Sequence, residues 1–373
     1  MLLVPPVMAF VFAEVLLYIS SVQTGTTSRF FSPSKWARSD SGVYLQIAGH
    51  GLVMTQCVGP PYPPHATCGT VGFAPLYSFL IALLGHLGMS LPVAAMVITV
   101  VFAYLMLQAI WVLIGPQWSF SSLCCLAFAA CFPGMVYYYA LFPVSLLAFL
   151  AIVCLLLFIR RHYLWSGIVG ALCCWAFAIG PLIGVVLFVA ALIVDRGPGF
   201  LRIVVKSAGV TFAGFALWLV TNQLWVGTWR AYFMSQAKYA SGLHDPISVF
   251  ITAFTGGPAA KYALQDPNPG YDFLIPKAQT AFVAVLVIGL VVWTLRRRPV
   301  TRTEWVLLSY TVVFWFLPLV SGASLSRYRI EALLVPSAAL CTRLPRVVQV
   351  ALLGVAVVLA VGLTNLFTRA KLF

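Results

Sequence analysis

From Leu91 to Ile114 the chain runs 24 residues without a single charged side chain. An α-helix of that length is about 36 Å long, more than the roughly 30 Å of hydrocarbon in a bilayer. Lipid offers no hydrogen bonds, so such a segment must satisfy its own backbone and is restricted to a helix. Similar runs recur at Leu2–Val22, Phe120–Phe132, Tyr137–Ile159, Leu164–Ala178, Leu182–Val194, Ala208–Gln223, Thr280–Leu295, Trp305–Val320, Ile330–Cys341 and Val347–Leu366. With 62% hydrophobic and 8% charged residues, too little charge remains to cover a soluble surface. The expectation is an all-α, polytopic membrane protein of roughly 11 transmembrane helices, forming one domain over residues 1–373. The first run has no basic region ahead of it and no small-residue cleavage site close behind, and reads as a retained span.

Basic clusters orient these runs, because arginine-rich loops stay on the cytoplasmic side. Arg160–Arg161, Arg196 with Arg202 and Lys206, Arg296–Arg298 with Arg302, and Arg343 with Arg346 all share one side under two conditions. The region Leu164–Val194 must be a pair of short helices broken at Gly180–Pro181, and Phe73–Gly88 must not cross. Segments 23–72 and 224–279 then form two large outer loops, the first carrying a short amphipathic helix. The net charge of +14 reports this topology and contacts with lipid phosphates, not nucleic acid. Several helices are short and interrupted by Gly or Pro, which points to an intramembrane cavity.

The acids are few. Asp195 and Glu304 stand beside cytoplasmic arginines as loop pairs, and Asp245, Asp266 and Asp272 sit among Pro and Gly as turn initiators. Glu331 is placed to pair with Arg327 or Arg329. Glu14 lies within the first span, where an ionisable group is costly and by default functional. Asp40 precedes a helical pattern that puts Tyr44, Ile47, Ala48 and Gly51 near one face. Two readings of Asp40 stand side by side: a helix N-cap, or a general base facing a cavity. Spacing alone favours the cap, and one carboxylate does not aim both ways.

Seven of the nine cysteines lie in or beside apolar runs as small hydrophobes, whereas Cys57 and Cys68 flank the polar loop CVGPPYPPHATC. In an oxidising outer compartment they form either a disulfide or two free thiols. His50 and His65 have no second ligand at helical spacing, and no zinc-ligand, phosphate-loop or Ser/His/Asp motif is present.

Four stretches, in order, carry a resemblance. DSGVYLQIAGHG is similar to the D-S-x-W-Y-x-x-I-A-x-x-G-Y element of the GPI mannosyltransferase II (PIG-V-like) family, of the GT-C glycosyltransferase fold. GFAPLYSFLIALLGHLGMS resembles its F-F-P-L-Y-P-L-L-I-x-L-L-G element. YYYALFPVSLLAFLAIVCLLLFIRRHYLWSGIVGAL resembles its Y-x-E-x-L-F run with a basic cytoplasmic end, and SLSRYRIEALLVP its late S-x-x-R-Y…P segment. The resemblance implies inverting transfer of a sugar, mannose, from a polyprenyl- or dolichyl-phosphate donor to a lipid-linked or exoplasmic acceptor. It places the site on the outer or lumenal side of a bacterial cytoplasmic membrane or the endoplasmic reticulum. Asp40 is then the base, and Arg327 and Tyr328, with Arg329 beside them, hold the donor phosphate. Arg38, Tyr44, His50, Tyr77 and Tyr139 line the substrate cavity. No organic cofactor or metal ligand set is implied, and a divalent metal stays open.

This chain departs from the family at three places: Ser39 replaces a Trp before the aspartate, Tyr139 replaces an acid, and CWAFAIGP lacks an arginine. A transporter or lipid flippase using Glu14 and the broken helices is the alternative, and a non-catalytic relative supporting another glycosyltransferase is a third.

Overall fold

A computed structural model describes residues 3–38, 40–58, 66–237, 243–255, 269–321 and 327–372, less the side chains of 253–255, 269–273 and 327. Helix α1 (Val4–Gln23) opens with Pro5 and Pro6 in its first turn, where a missing N–H costs nothing. Two helical turns follow, at Thr27–Arg29 and at α2 (Pro33–Trp36), before α3 (Ser41–His50). A two-stranded antiparallel ribbon, β1 (Met54–Gln56) and β2 (Thr67–Gly69), sets Thr55 opposite Cys68, and a disulfide joins Cys57 to Cys68. The chain continues through α4 (Leu76–His86), α5 (Leu91–Ile114), α6 (Phe120–Ala130), the turn α7 (Val136–Tyr139), α8 (Val144–Ile159), α9 (Tyr163–Ala176) and α10 (Leu182–Val194). Then come α11 (Phe200–Val226, with a π-turn at Val205–Gly209), α12 (Ala231–Ala237), α13 (Pro246–Thr255), α14 (Pro269–Arg296) and α15 (Arg302–Val320). The short α16 (Arg327–Ala332), a 3₁₀ segment at Val335–Arg343 and α17 (Arg346–Thr368) complete the described fold.

Among the described residues six helices are long and apolar enough to cross a membrane: α1, α5, α11, the Leu274–Arg296 part of α14, α15 and α17. Their outward faces are apolar too. Val7, Val11 and Val15 of α1 and Val347, Val350 and Val358 of α17 are exposed. In water such surfaces would aggregate; against lipid tails they are satisfied. The chain is an integral membrane protein. Five further apolar helices, α4, α6, α8, α9 and α10, are shorter. At 11 residues α4 is about 16 Å long, so the segment expected not to cross is indeed too short to do so upright.

The pair of short helices expected over Leu164–Val194 is present as α9 and α10. Tyr163 at the start of one donates its hydroxyl to Asp195 at the end of the other (3.3 Å), so the chain goes out and returns. Gly180 makes the turn possible, because a Cβ there would stand 1.9 Å from the Cys173 carbonyl oxygen. The run Ile330–Cys341, expected as a span, differs. Only its first residues are α-helical, and Val335–Arg343 is 3₁₀, with every side chain from Val335 to Cys341 buried. Such irregular backbone is tolerated at membrane depth when protein surrounds it.

The bundle has two chemically distinct ends. At one, Arg302 grips Asp195 with two bonds of 2.6 and 2.8 Å, and Arg343 pairs with Glu304 at 2.8 Å. Glu304 also completes a capping box with Thr301 at the start of α15. The sequence reading of these acids as solvated loop pairs is corrected: their side chains are 10% and 11% exposed and tie helix ends together. At the other end, α1 and α17 finish side by side. Ser20 donates to Asn365 (2.6 Å), and Asn365 donates to Gln23 (2.8 Å). Asp245 behaves as expected, accepting from Ser248 N and Oγ at 2.9 and 2.7 Å as α13 begins. Asp266 lies outside the described residues, as does the side chain of Asp272.

Candidate active site

The end opposite the basic loops holds the ion pair on which the site is built. Asp40 occupies the N-cap position of α3, yet its side chain makes no capping hydrogen bond, so the capping reading is corrected. Its main-chain carbonyl starts the helix, accepting from Val43 N (2.9 Å) and Tyr44 N (3.3 Å). The carboxylate instead accepts from Arg329 Nη1 on α16, 289 residues away. Arg329 is 5% exposed while the Asp40 side chain is 30% exposed, so the guanidinium lies beneath and the carboxylate above it.

Arg329 rests on an aromatic floor. Its guanidinium carbon is 4.8 Å from the Phe142 ring centre and 5.9 Å from that of Tyr137. Tyr137 meets Phe142 and, from α17, Phe367 edge-on, each at 5.9 Å. Cation–π contact of this kind strengthens when water is excluded. Burial alone would lower the Arg329 pKa, but the adjacent Asp40 more than offsets this and holds it above its ordinary value.

Close packing fixes α16 in place. Gly134 adopts φ +82°, and a Cβ there would lie 2.7 Å from the Tyr328 carbonyl oxygen. Only glycine therefore lets the loop before α7 approach α16 this closely. Tyr138 Oη donates to the Ala332 carbonyl, and Tyr310 Oη to that of Leu333 (2.6 Å). Glu331 is expected to pair with Arg327 or Arg329; the Arg327 side chain lies outside the described residues, and the described partners of Glu331 are on α14. It is buried and accepts from Gln279 Nε2 (2.8 Å) and Thr280 Oγ1 (3.0 Å) of α14. A small cleft lined by Phe314, Trp315, Pro318, Leu319, Ile330, Glu331 and Leu334 opens on that side.

The first loop is braced from below. Trp36 accepts the Leu141 N–H on its carbonyl (3.0 Å), next to Phe142 of the floor. Lys35 is buried, donates to Ser21 Oγ, and lies 5.0 Å from the ring centres of Phe30 and Trp36. Arg38 donates to the carbonyls of Ser34 (3.1 Å), Ala37 (2.9 Å) and Thr368 (3.2 Å), joining the loop to the C-terminal end of α17. Arg38 thus anchors the loop through main-chain carbonyls.

The remaining sequence-derived residues fall into three groups. Tyr44 lies beside the pair: it is buried, stacked edge-on against Tyr77 (5.5 Å) and Phe73 (5.4 Å). Burial, and secondarily the charge of Asp40, push its pKa well above the ordinary tyrosine value. Tyr77 is one layer deeper, bonded to Thr99 Oγ1 (2.8 Å) and the Ala95 carbonyl (3.1 Å). Tyr139 packs away from Arg329, its ring 5.9 Å from Phe10 of α1 and within electrostatic reach of Glu14. Tyr328 is half-buried beside the core, and His50 is exposed at the end of α3. Ser39, His65 and the Arg327 side chain lie outside the described residues. Among the described residues no group of three or more His, Cys, Asp or Glu side chains is spaced to hold a metal ion.

Sequence reasoning missed Phe142, Tyr137, Gln279 and Thr280. The aromatic density of YYYALF was the one available signal for the first two. An ionised carboxylate above a buried guanidinium can accept a proton and steady a phosphate within a few ångströms. Neither a protein-family model nor a curated protein sequence matches this chain.

Proposed function

We propose that the chain is a membrane glycosyltransferase of the GT-C type, moving a sugar, mannose by resemblance, from a polyprenyl- or dolichyl-phosphate donor to a lipid-linked or exoplasmic acceptor. The observation that supports this reading is the Asp40–Arg329 pair, in which a carboxylate suited to act as a base meets a guanidinium suited to bind phosphate. The arginine-rich ends lie away from it, so the positive-inside rule puts the pair on the outer or lumenal face of a bacterial cytoplasmic or endoplasmic reticulum membrane. The five shorter apolar helices and the buried 3₁₀ segment then make up the difference between six long helices and roughly eleven passes, α4 staying on the outer side.

The chemistry is a single displacement. The acceptor hydroxyl oxygen attacks the anomeric carbon and gives its proton to Asp40 as the new glycosidic bond forms. The bond from that carbon to the phosphate oxygen breaks, and its electron pair leaves with the polyprenyl phosphate. Arg329 stabilises the charge gathering on that phosphate, an effect that grows in a site shielded from water. Attack from the face opposite the leaving group inverts the anomeric configuration. One base suffices, because no covalent sugar–enzyme bond is made. Tyr44 and Tyr77 wall the site behind Asp40, and the resemblance assigns Arg327 and Tyr328 to the donor phosphate.

The test is transfer of labelled mannose from polyprenyl-phosphate mannose by the purified chain in nanodiscs with an extracted lipid acceptor. Asp40→Asn is expected to lower the rate by about 10²–10⁴-fold, the usual contribution of a general base, without loss of the folded state. Undiminished transfer by Asp40→Asn would remove Asp40 from the mechanism. Label that crosses vesicles unmodified, in a manner stopped by Glu14→Gln, would replace the transferase reading with transport.

A further inference from the structure

Helix α11 leads away from the basic end of the bundle. No side chain between Lys206 and Arg230 is charged, and the helical part of that run, ending at Val226, is about 30 Å long, the thickness of the hydrocarbon. Leu217, Val220 and Leu224 carry its exposed apolar face to the far boundary. There Gly227 closes the helix in the left-handed conformation (φ +78°). Gln223 ties the turn, accepting from Trp229 N (2.9 Å) and donating to the Gly227 carbonyl (3.1 Å). The exposed surface does not become polar beyond this point. Trp225, Trp229, Phe233 and Met234 are between 42% and 49% exposed, and the Arg230 guanidinium lies 5.2 Å over the Trp229 ring. Rings beside a cation suit a membrane interface, where amphipathic aromatics sit at headgroup level and a long basic side chain reaches lipid phosphate.

The opposite face of α12 is built into the protein. Ala231 is buried in a small apolar cluster with Ile47 of α3 and with Leu52 and Val71, which flank the ribbon. Gln236 Nε2 donates to the Gly72 carbonyl (3.4 Å), and Tyr232 Oη to that of Ala178 (3.2 Å) in the turn between α9 and α10. Helix α12 thus joins a surface continuous with the lipid-facing side of α11 to the helix that Asp40 begins.

We infer that α12 is an interfacial anchor, its outward face seated in the phospholipid headgroup boundary and its inward face holding α3 and the ribbon at a fixed height over the membrane. Continuity with α11 and the cation of Arg230 fit that face to lipid, where an apolar surface is satisfied. Neither half depends on sugar transfer, so the role goes beyond the transferase reading and does not rest on it.

The experiment uses the full chain in phosphatidylcholine nanodiscs. All seven free cysteines are buried and Cys57 is bonded to Cys68, so an added surface cysteine is the one that takes a nitroxide label. Met234→Cys and Ala237→Cys lie within one turn on the outward face, and Val285→Cys on α14 is the lipid reference. At both positions collisions with oxygen should outweigh those with a water-soluble nickel complex, at a depth of about 5–10 Å into the boundary. Nickel collisions as frequent as for free label in buffer overturn the anchor. Hydrogen exchange reads the inward half. Carboxylates on the outward face (Met234→Glu with Ala237→Glu) should draw α12 from lipid and speed exchange of the α3 amides by about tenfold or more, with the buried helix α8 unchanged. Met234→Leu should keep the wild-type rates. Unchanged α3 exchange in the glutamate variant overturns the role, and so does a rise in α8 as large as that in α3.

Discussion

Asp40→Ala and Arg329→Met should differ in stability, and combining them should restore part of what the first loses. Removing Asp40 strands a guanidinium that is 5% exposed and rests on two aromatic rings. Breaking a buried pair in this way costs about 3–5 kcal/mol, and partial access of water from the Asp40 side puts the value near the lower figure. Arg329→Met removes the buried charge and keeps an unbranched chain against Phe142. The carboxylate it leaves behind is 30% exposed and can hydrate, so the cost is about 1 kcal/mol. In the double variant no charge is stranded, and it should be about 2 kcal/mol more stable than Asp40→Ala alone. The protein supplies its own reporter, since all seven free cysteines are buried. A thiol-reactive dye in a thermal ramp, on protein in nanodiscs, should give wild type the highest midpoint, Arg329→Met and the double variant similar ones below it, and Asp40→Ala the lowest. A double variant less stable than both single ones, by the sum of their losses, would refute the reasoning that Arg329 is a buried charge answered by Asp40.

Three further outcomes follow from other contacts. Burial pushes the Lys35 ammonium down from 10.5 to about 8. The folded value lies below the unfolded one, so the unfolded chain holds more protons between about pH 8 and 10.5, and stability rises with pH across that window. Lys35→Met should accordingly raise the melting midpoint at neutral pH, with a gain that shrinks as the buffer approaches pH 10. At the basic end, Asp195→Asn weakens two bonds of 2.6 and 2.8 Å and leaves Arg302 with the Tyr163 hydroxyl and the Phe158 carbonyl. A loss of about 2 kcal/mol is expected, little changed by added salt because the pair is mostly buried, and a double-mutant cycle with Arg302→Met measures it. The Cys57–Cys68 link closes a loop with a sequence separation of 11, which removes about 3 kcal/mol of unfolded-chain entropy. Reductant should lower the midpoint of wild type and leave that of the Cys57→Ser, Cys68→Ser double variant unchanged.

The membrane class, the helix pair broken at Gly180–Pro181 and the gathering of arginines at one end were all legible, because each follows from local hydropathy, a breaker or charge. The fate of Ile330–Cys341 was not, since an apolar run says that a segment is buried and not which helix it forms. The site was half legible. The resemblance around DSGVYLQIAGHG singled out Asp40, but spacing favoured a cap, because a cap depends on neighbours in sequence and an ion pair on neighbours in space. Arg329 and Glu331 show the same limit. They stand two residues apart on one short helix, yet the described partners of Glu331 lie on α14 and that of Arg329 is Asp40, which adjacency in sequence does not show. Phe142 gains its role only when α16 is laid across it.

The separation of Asp40 from Arg329 also sets a time. Ribosomes add about 5–20 residues per second, so the 289 residues between the two partners take about 15–60 s to appear. The contact of Arg38 with Thr368 spans 330 residues and waits longer still. Throughout that interval the newly made acid stands without its cation and its loop without its anchor. A product that stops before α16 carries Asp40 but no Arg329, so the ion pair forms only near completion of the fold.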